Sequence, residues 1–390
     1  MSSNEAVSLL VISLGAFAIP LVSGRLKIPA AVGEILYGAV LGPYALGLVE
    51  SSSFIEFLAD LGFAFLMFLA GLELDFIHIE RRGGKSILGA SLAAAAISVV
   101  SLGVTLLAGF PPFLFLAFGA VSVGILLAAL NETGASRTGA GQLIILIGSI
   151  GEFITIILLT MMGIFYKHGG GTVLAIHAVK LGAIFVAALV VLLVLRTLLW
   201  WYPSGFARLV RAKDPAEIGV RAATATMFVF VAFASLMGVK AILGAFVAGA
   251  LFSFVFRDKE VLEGKMSSIG FGFFVPVFFI WVGAEFDIAN ALTLKAAPVI
   301  GIFLLLSLVS KLVPSLGLVL SGLSLRNSIA AGFLLSAPLT LLVVVARIGE
   351  ESGALDGETA SALVALAIVS SILFPWLFGL LFRKEDPEEA

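Results

Sequence analysis

The chain has 390 residues, of which 61% are hydrophobic and only 12% are charged. Soluble domains contain about a quarter charged residues, so this composition excludes a water-soluble fold and makes membrane lipid the expected surroundings. The net charge of -2 indicates no particular partner, no basic patch suggests nucleic-acid binding, and the absence of cysteine excludes disulfides and thiolate chemistry.

Long apolar runs follow one another along the whole sequence, separated by charges and turn residues. They run for about 17–28 residues, which is enough to cross a bilayer as a helix, and they lack the alternation of barrel strands. We interpret the N-terminal run as a first span and not as a cleaved signal peptide. The sequence therefore predicts thirteen transmembrane helices, at 5–22, 30–48, 54–75, 86–108, 113–131, 138–165, 173–199, 217–237, 240–256, 267–284, 294–320, 328–346 and 359–382.

The basic residues fall mainly on one side of these predicted spans. An odd number of spans places the two termini on opposite sides of the membrane. With the N-terminus outside, 17 of the 23 Lys and Arg residues lie in cytoplasmic segments, as the positive-inside rule requires. This predicts a multi-pass protein of the inner (plasma) membrane with a cytoplasmic C-terminus, and the basic stretch from Arg208 to Lys213 marks the cytoplasmic face.

The two halves of the sequence share a pattern of small residues in the same order. At an offset of 211 or 212 positions, Gly33, Gly38 and Gly71 recur as Gly244, Gly249 and Gly283. Small residues recur by chance in membrane helices, but their common order and offset favour a repeat. Because an odd span separates the two six-helix units, the second is inverted relative to the first, as in many secondary transporters.

Two charged residues lie in the middle of strongly apolar spans. Glu152 follows a run ending in Gly151, and Lys311 lies between Ser310 and Leu312. A charge at this depth costs roughly 2.5–3.5 kcal/mol on insertion scales, which makes both residues candidates for a function. The Glu152 carboxylate suits both an alkali cation and a proton, although a neutralised structural acid is the simpler alternative. Lys311 is interpreted as a supporting counter-charge or a proton carrier.

Helix-breaking residues occupy corresponding places in spans five and twelve. Broken helices at matching positions of two repeats are the best sequence indication of a binding site at the midplane. The predicted broken segments are marked by Gly124 and Asn131 in span five and by Ser336 and Pro338 in span twelve, and the expected weak point of span five is at Ser122 and Gly124.

Four further polar residues complete the set of candidates. Ser122, near the predicted break, and Thr155, close to Glu152, are candidate hydroxyl ligands for an ion. Glu34 and Glu73 lie nearer span ends and are secondary candidates, for which interfacial salt bridges are the simpler explanation. The predicted metal ligand is Glu152 alone, for Na⁺ or K⁺ only, and no catalytic residue is predicted.

Three segments resemble signatures of one transporter superfamily. They are the segment from Val32 to Pro43 (VGEILYGAVLGP), the segment from Gly62 to Asp75 (GFAFLMFLAGLELD), and the segment from Phe274 to Phe279 (FVPVFF) followed by Gly283. Together they resemble the monovalent cation:proton antiporter superfamily, and most of all its Kef-like and NapA-like branch. The resemblance implies an all-α fold of two inverted six-helix repeats with crossed discontinuous helices.

The resemblance also implies an elevator-type homodimer in which each chain has a dimer domain and a moving core domain. Glu152 aligns with the ion-binding Asp of span six in the family, and Lys311 aligns with the basic residue of span eleven. The implied domains are dimer-domain helices 1–3 in 1–85, core helices 4–6 in 86–166, linker helix 7 and a basic loop in 167–216, dimer-domain helices 8–10 in 217–292, and core helices 11–13 in 293–390.

The sequence departs from the family pattern around the implied site. Gly151 replaces the usual Asp, Asn or Gln, Glu152 replaces the usual Asp, and the span-twelve segment around Pro338 is apolar. A single carboxylate suggests electroneutral one-for-one exchange, while the missing polar ligands leave the identity of the ion open. We expect no nucleotide-binding regulatory domain after Lys384, and a separate regulatory subunit is a candidate partner.

The sequence thus predicts a secondary antiporter, not an enzyme, that exchanges Na⁺ or K⁺ for H⁺ without a cofactor. The alternatives are a transporter of another solute on the same fold, a channel-like ion-efflux unit, and a non-transporting sensor or scaffold. A channel requires a continuous polar pathway, for which this chain has few residues. Only the missing ligands favour a sensor.

Overall fold

A computed structural model shows helices joined by short turns throughout the part of the chain that it describes. The described residues are 3–26, 28–49, 52–73, 83–136, 138–201, 217–239, 241–255, 260–285 and 296–383. The end of the third-span signature at Asp75 and the basic stretch from Arg208 to Lys213 lie outside them.

The helices follow the apolar runs closely, with short irregular pieces where the runs are interrupted. In chain order they are α1 (Ser3–Leu26), α2 (Ala30–Leu41), α3 (Ser53–Glu73), α4 (Gly83–Leu107), a 3-10 turn (Pro112–Leu114), α5 (Phe115–Gly119), α6 (Val123–Glu132), α7 (Gly139–His168), α8 (Thr172–Trp201), α9 (Ile218–Leu236), α10 (Ala241–Val255), α11 (Glu260–Ile269), a π-helical turn (Gly270–Phe274), α12 (Val275–Glu285), α13 (Ala296–Leu316), a 3-10 turn (Gly317–Ser321), α14 (Leu325–Leu335), α15 (Leu339–Glu351) and α16 (Gly357–Leu381).

Among the described residues, ten helical segments are long and apolar enough to cross a membrane, and the bent pair of α14 and α15 makes one further span. The shorter apolar helices α2 and α10 fall on predicted spans two and nine. The helices thus match the thirteen predicted spans in order, and the prediction of an all-α polytopic membrane protein is confirmed.

The chain divides into two compact units, each built from both halves of the sequence. Unit one comprises Met1–His78 and His168–Phe286, and unit two comprises Ile79–Lys167 and Asp287–Ala390. Each unit takes corresponding helices from the two repeats. The dimer-domain and core-domain roles implied by the family resemblance stay predictions.

In unit one, glycines bring helix backbones into direct contact. In the pair of α2 and α12, a Cβ on Gly38 would collide with the carbonyl of Ile280, and a Cβ on Gly283 would collide with the carbonyl of Ile35. Each helix therefore presses a glycine against the backbone of the other. Only a residue without a side chain permits this distance, which explains the repeated glycines of the sequence.

The pair of α3 and α10 repeats this arrangement. A Cβ on Gly71 would collide with the carbonyl of Phe246, and a Cβ on Gly249 would collide with the carbonyl of Phe68. Gly38 corresponds to Gly249 in the sequence repeat, and Gly71 corresponds to Gly283. The two helix pairs are therefore equivalent contacts of the inverted repeat.

Unit two packs its helices around two breaks. Helix α13 lies against α4, α5, α14 and α16, while α15 packs on α16. The first half of each broken span contacts the second half of the other, because α5 touches α15 and α6 touches α14. The two broken spans therefore run antiparallel and bring their breaks side by side.

Candidate functional site

The break in span five lies between α5 and α6 and is buried. Helix α5 ends at Gly119, the backbone of Ala120 is extended with φ -56° and ψ 135°, and α6 begins at Val123. A helix that starts inside the protein presents backbone N–H groups that lack partners in the preceding turn. The break thus creates donors in an apolar region, and these require an acceptor.

Glu152 supplies that acceptor from α7. Its side chain is only 1% exposed, and its Oε2 accepts a hydrogen bond from the Val123 N–H at 3.1 Å. The N-terminal end of a helix carries partial positive charge, which favours a carboxylate at this position. The contact explains how an acidic side chain is accommodated in the interior.

A pair of hydroxyls joins the two broken spans beside this contact. Ser122 Oγ and Thr340 Oγ1 are 2.6 Å apart. Ser122 directly precedes the residue that donates to Glu152, and Thr340 is the second residue of α15. Sequence reasoning selected Ser122 but missed Thr340. The sequence feature that could have identified Thr340 is its position two residues after the helix-breaking Pro338.

Thr155 lies one turn beyond Gly151 on α7. Its Oγ1 donates to the Gly151 carbonyl at 2.8 Å, which leaves the oxygen lone pairs available as acceptors. A Cβ on Gly151 would lie 3.5 Å from Val121 and 3.9 Å from Ala94. Apolar side chains therefore surround Gly151, at the position where the sequence resemblance implies a polar residue.

Lys311 is fully buried on α13. Its Nζ donates to Ser307 Oγ, one turn earlier on the same helix, at 2.8 Å. Unit two therefore buries a basic group as well as an acidic one, and both sit on helices that pack against the broken spans.

The predicted broken-helix residues lie within the break in span twelve but only partly so in span five. Span twelve breaks between Leu335 and Leu339 with a bend of 43°, so Ser336 and Pro338 lie within the break. In span five the break lies at residues 120–122, which includes Ser122 of the predicted weak point, and the part of the prediction that concerns Gly124 is corrected, because Gly124 is the second residue of helix α6. Nothing lies within 4 Å of a Cβ built on Gly124, so it is an ordinary helical glycine.

Three further candidates lie at other positions along the helices. Asn131 is in the last turn of α6, which ends at Glu132. Glu34 is a buried residue of α2, and Glu73 is the last residue of α3, so both belong to unit one. Unit two therefore brings together Glu152, Ser122 and Thr340 around the Val123 N–H, and Thr155 lies about one turn from Glu152 on α7.

Known proteins resemble this chain over its whole length. The family model described as "Sodium/hydrogen exchanger, transmembrane" matches residues 10–384. This chain belongs to the sodium/hydrogen exchanger family. The superfamily predicted from its sequence motifs is thereby confirmed, and its place is among membrane transporters and not among enzymes.

Two relatives and one solved structure illustrate this membership. The putative Na⁺/H⁺ antiporter YjbQ of Bacillus subtilis is 33% identical over all of this chain, which spans 65% of that protein's length. The probable Na⁺/H⁺ antiporter 3 of Methanocaldococcus jannaschii is 27% identical over the full length of both chains. The sodium proton antiporter MjNhaP1 of the same organism has the same fold, with a TM-score of 0.63 and 15% identity over 97% of this chain and 95% of its own.

Proposed function

We propose that this family member exchanges a monovalent cation, Na⁺ or K⁺, for H⁺, and that Glu152 is the carboxylate that both ions share. The observation that carries this proposal is the position of Glu152 Oε2 against the Val123 N–H. It holds a buried carboxylate at the end of a half-helix, directly beside the hydroxyl pair of Ser122 and Thr340.

The chemistry of the proposal is competition for the same oxygen atoms. Hard cations take oxygen ligands, and unit two offers carboxylate and hydroxyl oxygens close to one another. A proton on Glu152 removes the negative charge that attracts the cation, so binding of one ion releases the other. The Val123 N–H fixes the carboxylate in both states, since a protonated carboxyl retains an acceptor oxygen.

The proposed stoichiometry follows from the charges of the cluster. One carboxylate gives one cation for one proton, which moves no net charge across the membrane. Lys311 is proposed as the buried counter-charge that supports the site. Its ammonium is held in place by a hydrogen bond to Ser307. Voltage contributes about 2.3 kcal/mol per charge per 100 mV, so a one-for-one exchanger should be insensitive to it, whereas a channel should respond strongly.

The proposed transport cycle is an elevator in which unit two carries the site across the membrane. The division of the chain into two compact units supports this proposal, because Glu152 and both broken spans belong to unit two alone. A homodimer formed through unit one and the orientation with the N-terminus outside are part of the same proposal. The latter is supported by the positive-inside count.

The test measures proton flux in proteoliposomes. A pH gradient is imposed, Na⁺, K⁺, Li⁺ or choline is added in turn, and the protein is compared with Glu152→Gln. The matched control is Glu358→Gln, since Glu358 is exposed in the first turn of α16 in the same unit. We expect cation-selective flux that Glu152→Gln abolishes and Glu358→Gln retains.

Three results would contradict the proposal. Flux in Glu152→Gln equal to that in Glu358→Gln would remove Glu152 as the shared carboxylate. A rate that changes steeply with an imposed voltage would indicate a channel or an unequal exchange. The absence of any cation-dependent flux from folded protein would favour another solute.

A further inference from the structure

The first turn of α14 is hydrogen-bonded to the end of α16. Arg326, the second residue of α14, donates from Nε to the Leu381 carbonyl and from Nη2 to the Leu380 carbonyl. Asn327 is buried, and its side-chain amide pairs with the backbone of Arg383 in both directions. Its Nδ2 donates to the Arg383 carbonyl at 3.1 Å, and its Oδ1 accepts from the Arg383 N–H at 3.1 Å. We call these four hydrogen bonds the clamp.

The local sequence does not explain an arginine in the first turn of α14. The N-terminal end of a helix carries partial positive charge, so a cation there is unfavourable for its own helix. The C-terminal end of α16, in contrast, presents carbonyls that lack partners in a following turn, and a guanidinium is a favourable donor to them. Arg326 therefore disfavours the helix that carries it and stabilises the end of another. Residues that break a local rule in this way are expected at functional sites.

Asn327 fixes the register of α14 on α16. Its amide binds both backbone groups of one residue, so a slide of α14 along α16 by a single residue would break both hydrogen bonds. A buried polar side chain can in this way select one register among several that apolar contacts alone would permit. Ser324 Oγ accepts from the Asn327 N–H at 3.2 Å, which also holds the start of α14 in place.

Helix α16 is a common support for the elements around the proposed ion site. It packs against α13, against α6 and against both halves of broken span twelve, α14 and α15. Helix α14 is 11 residues long, which corresponds to about 16 Å, and its other end is the break at Ser336. The clamp therefore sets the height of this break along α16. The same height determines whether Thr340, at the start of α15, lies opposite Ser122.

We propose that Asn327 and Arg326 are positioning residues for the proposed exchange, and that the clamp holds the break of span twelve at the level of Ser122 in span five. This inference rests on the proposed function. Neither residue contacts the cation, and both act through α14 on the hydroxyl pair of Ser122 and Thr340.

Loss of the clamp has a defined consequence for cation binding. Helix α14 becomes able to shift along α16, so the Ser122–Thr340 pair is formed for only part of the time. When the binding-competent arrangement is only fractionally populated, the apparent affinity for the ligand falls by that fraction. The cation concentration at half-maximal flux therefore rises, although every group that binds the cation is still present.

Arg383 offers a way to break the clamp without changing either positioning residue. Proline lacks a backbone N–H, so Arg383→Pro removes the hydrogen bond to Asn327 Oδ1. The preceding residue, Phe382, is already extended with φ -63° and ψ 130°, which is the kind of backbone that a following proline favours. Arg383→Ala is the matched control, because the Arg383 side chain is exposed and only its backbone belongs to the clamp.

The first measurement is the cation concentration at half-maximal flux in proteoliposomes. We expect Asn327→Leu and Arg383→Pro to raise it at least about twofold, the lower limit for one lost hydrogen bond, while Arg383→Ala keeps the wild-type value. In a Thr340→Val background, Asn327→Leu should cause no further rise, whereas independent sites would give additive effects. A clamp with a purely structural role would lower the melting temperature and leave this concentration unchanged.

A second measurement separates this inference from the proposed function. Amide hydrogen exchange reports local opening of the backbone, and peptides that cover residues 335–341 report on the break of span twelve. We expect faster exchange there in Asn327→Leu and Arg383→Pro, and the wild-type rate in Arg383→Ala. This result is independent of transport and would stand even if wild type exchanged no alkali cation.

Three outcomes would overturn the positioning role. One is a half-saturating cation concentration in Asn327→Leu and Arg383→Pro that equals that of Arg383→Ala. Another is an equal fold-change from Asn327→Leu in the wild-type and Thr340→Val backgrounds, which would show that the clamp does not act through the hydroxyl pair. The third is amide exchange at residues 335–341 that is unchanged in both clamp variants.

Discussion

Unit one and unit two are built from the same inverted repeat but place different groups between their helices. In unit one, Gly38, Gly71, Gly249 and Gly283 press directly on the backbones of neighbouring helices. In unit two, the helices meet at two breaks and enclose hydroxyls, Glu152 and Lys311. Close backbone contact leaves no space for a larger side chain, whereas buried polar groups at helix ends can bind one ion in place of another. Stability and transport should therefore respond to substitutions in different units.

The largest effect on stability is expected for Gly71→Ala in unit one. The new Cβ would collide with the Phe246 carbonyl and lie 2.8 Å from the Ala250 nitrogen, so two backbones must move apart. Overpacking costs about 1–3 kcal/mol and sometimes more, and a clash with backbone belongs at the upper end. Thermal unfolding in detergent measures the loss.

Gly24→Ala is the matched control for this prediction. Gly24 also lies on a helix of unit one, but nothing lies within 4 Å of its added Cβ. Alanine there should be neutral or stabilise the helix by up to about 1 kcal/mol. Equal melting temperatures for the two variants would show that the glycine contacts do not govern the stability of unit one.

A smaller effect, on transport alone, is expected for Thr340→Val in unit two. The change keeps the shape of the side chain but removes the hydroxyl that pairs with Ser122 Oγ. One lost hydrogen bond corresponds to about 0.5–1.5 kcal/mol, so the cation concentration at half-maximal flux should rise about two- to thirteenfold. The melting temperature should stay close to that of wild type.

Thr160→Val provides the comparison for this variant. The Thr160 hydroxyl is buried in the same unit but bonds to the Ile156 carbonyl of its own helix. We expect its half-saturating cation concentration to match wild type. If both threonine variants shifted that concentration equally, the hydroxyl pair would have no special part in binding.

The smallest effect is expected outside the membrane, at the start of α16. Asp356 caps this helix by accepting from the Thr359 N–H at 2.8 Å. Hydrogen bonds from the Thr359 side chain and backbone lower the pKa of the Asp356 carboxyl below its ordinary value. Replacing an N-cap residue with alanine costs about 1 kcal/mol.

The depressed pKa determines how this contribution depends on pH. It is fully present above the unfolded-state pKa of about 3.9 and is lost as the pH falls through the lower folded-state pKa. Wild type and Asp356→Ala should therefore differ in melting temperature at pH 7 and converge below about pH 4. Asp356→Asn, an uncharged cap, should show no such pH dependence, and a constant gap between wild type and Asp356→Ala would contradict the assignment.

The sequence located the two breaks with different success because their signals differ. Pro338 lacks a backbone N–H and cannot continue a helix, so the break of span twelve was predictable. Span five (113–131) has no proline, and its two glycines, Gly119 and Gly124, flank the break and do not lie within it. Its actual break at residues 120–122 is stabilised by the Glu152 contact to Val123, which joins residues 29 positions apart.

The sequence by itself determined the membrane spans, the inverted repeat, the family and the buried charges Glu152 and Lys311. These are local properties, since span length follows from the bilayer and each buried charge stands out in its own apolar run. Only the tertiary structure decided that Thr340 pairs with Ser122, 218 positions away, and that Gly332 packs against Leu312 and Ser315 of another helix. Such pairs depend on which helices become neighbours. The sequence does not show this, because an apolar helix face can pack equally well against lipid or against protein.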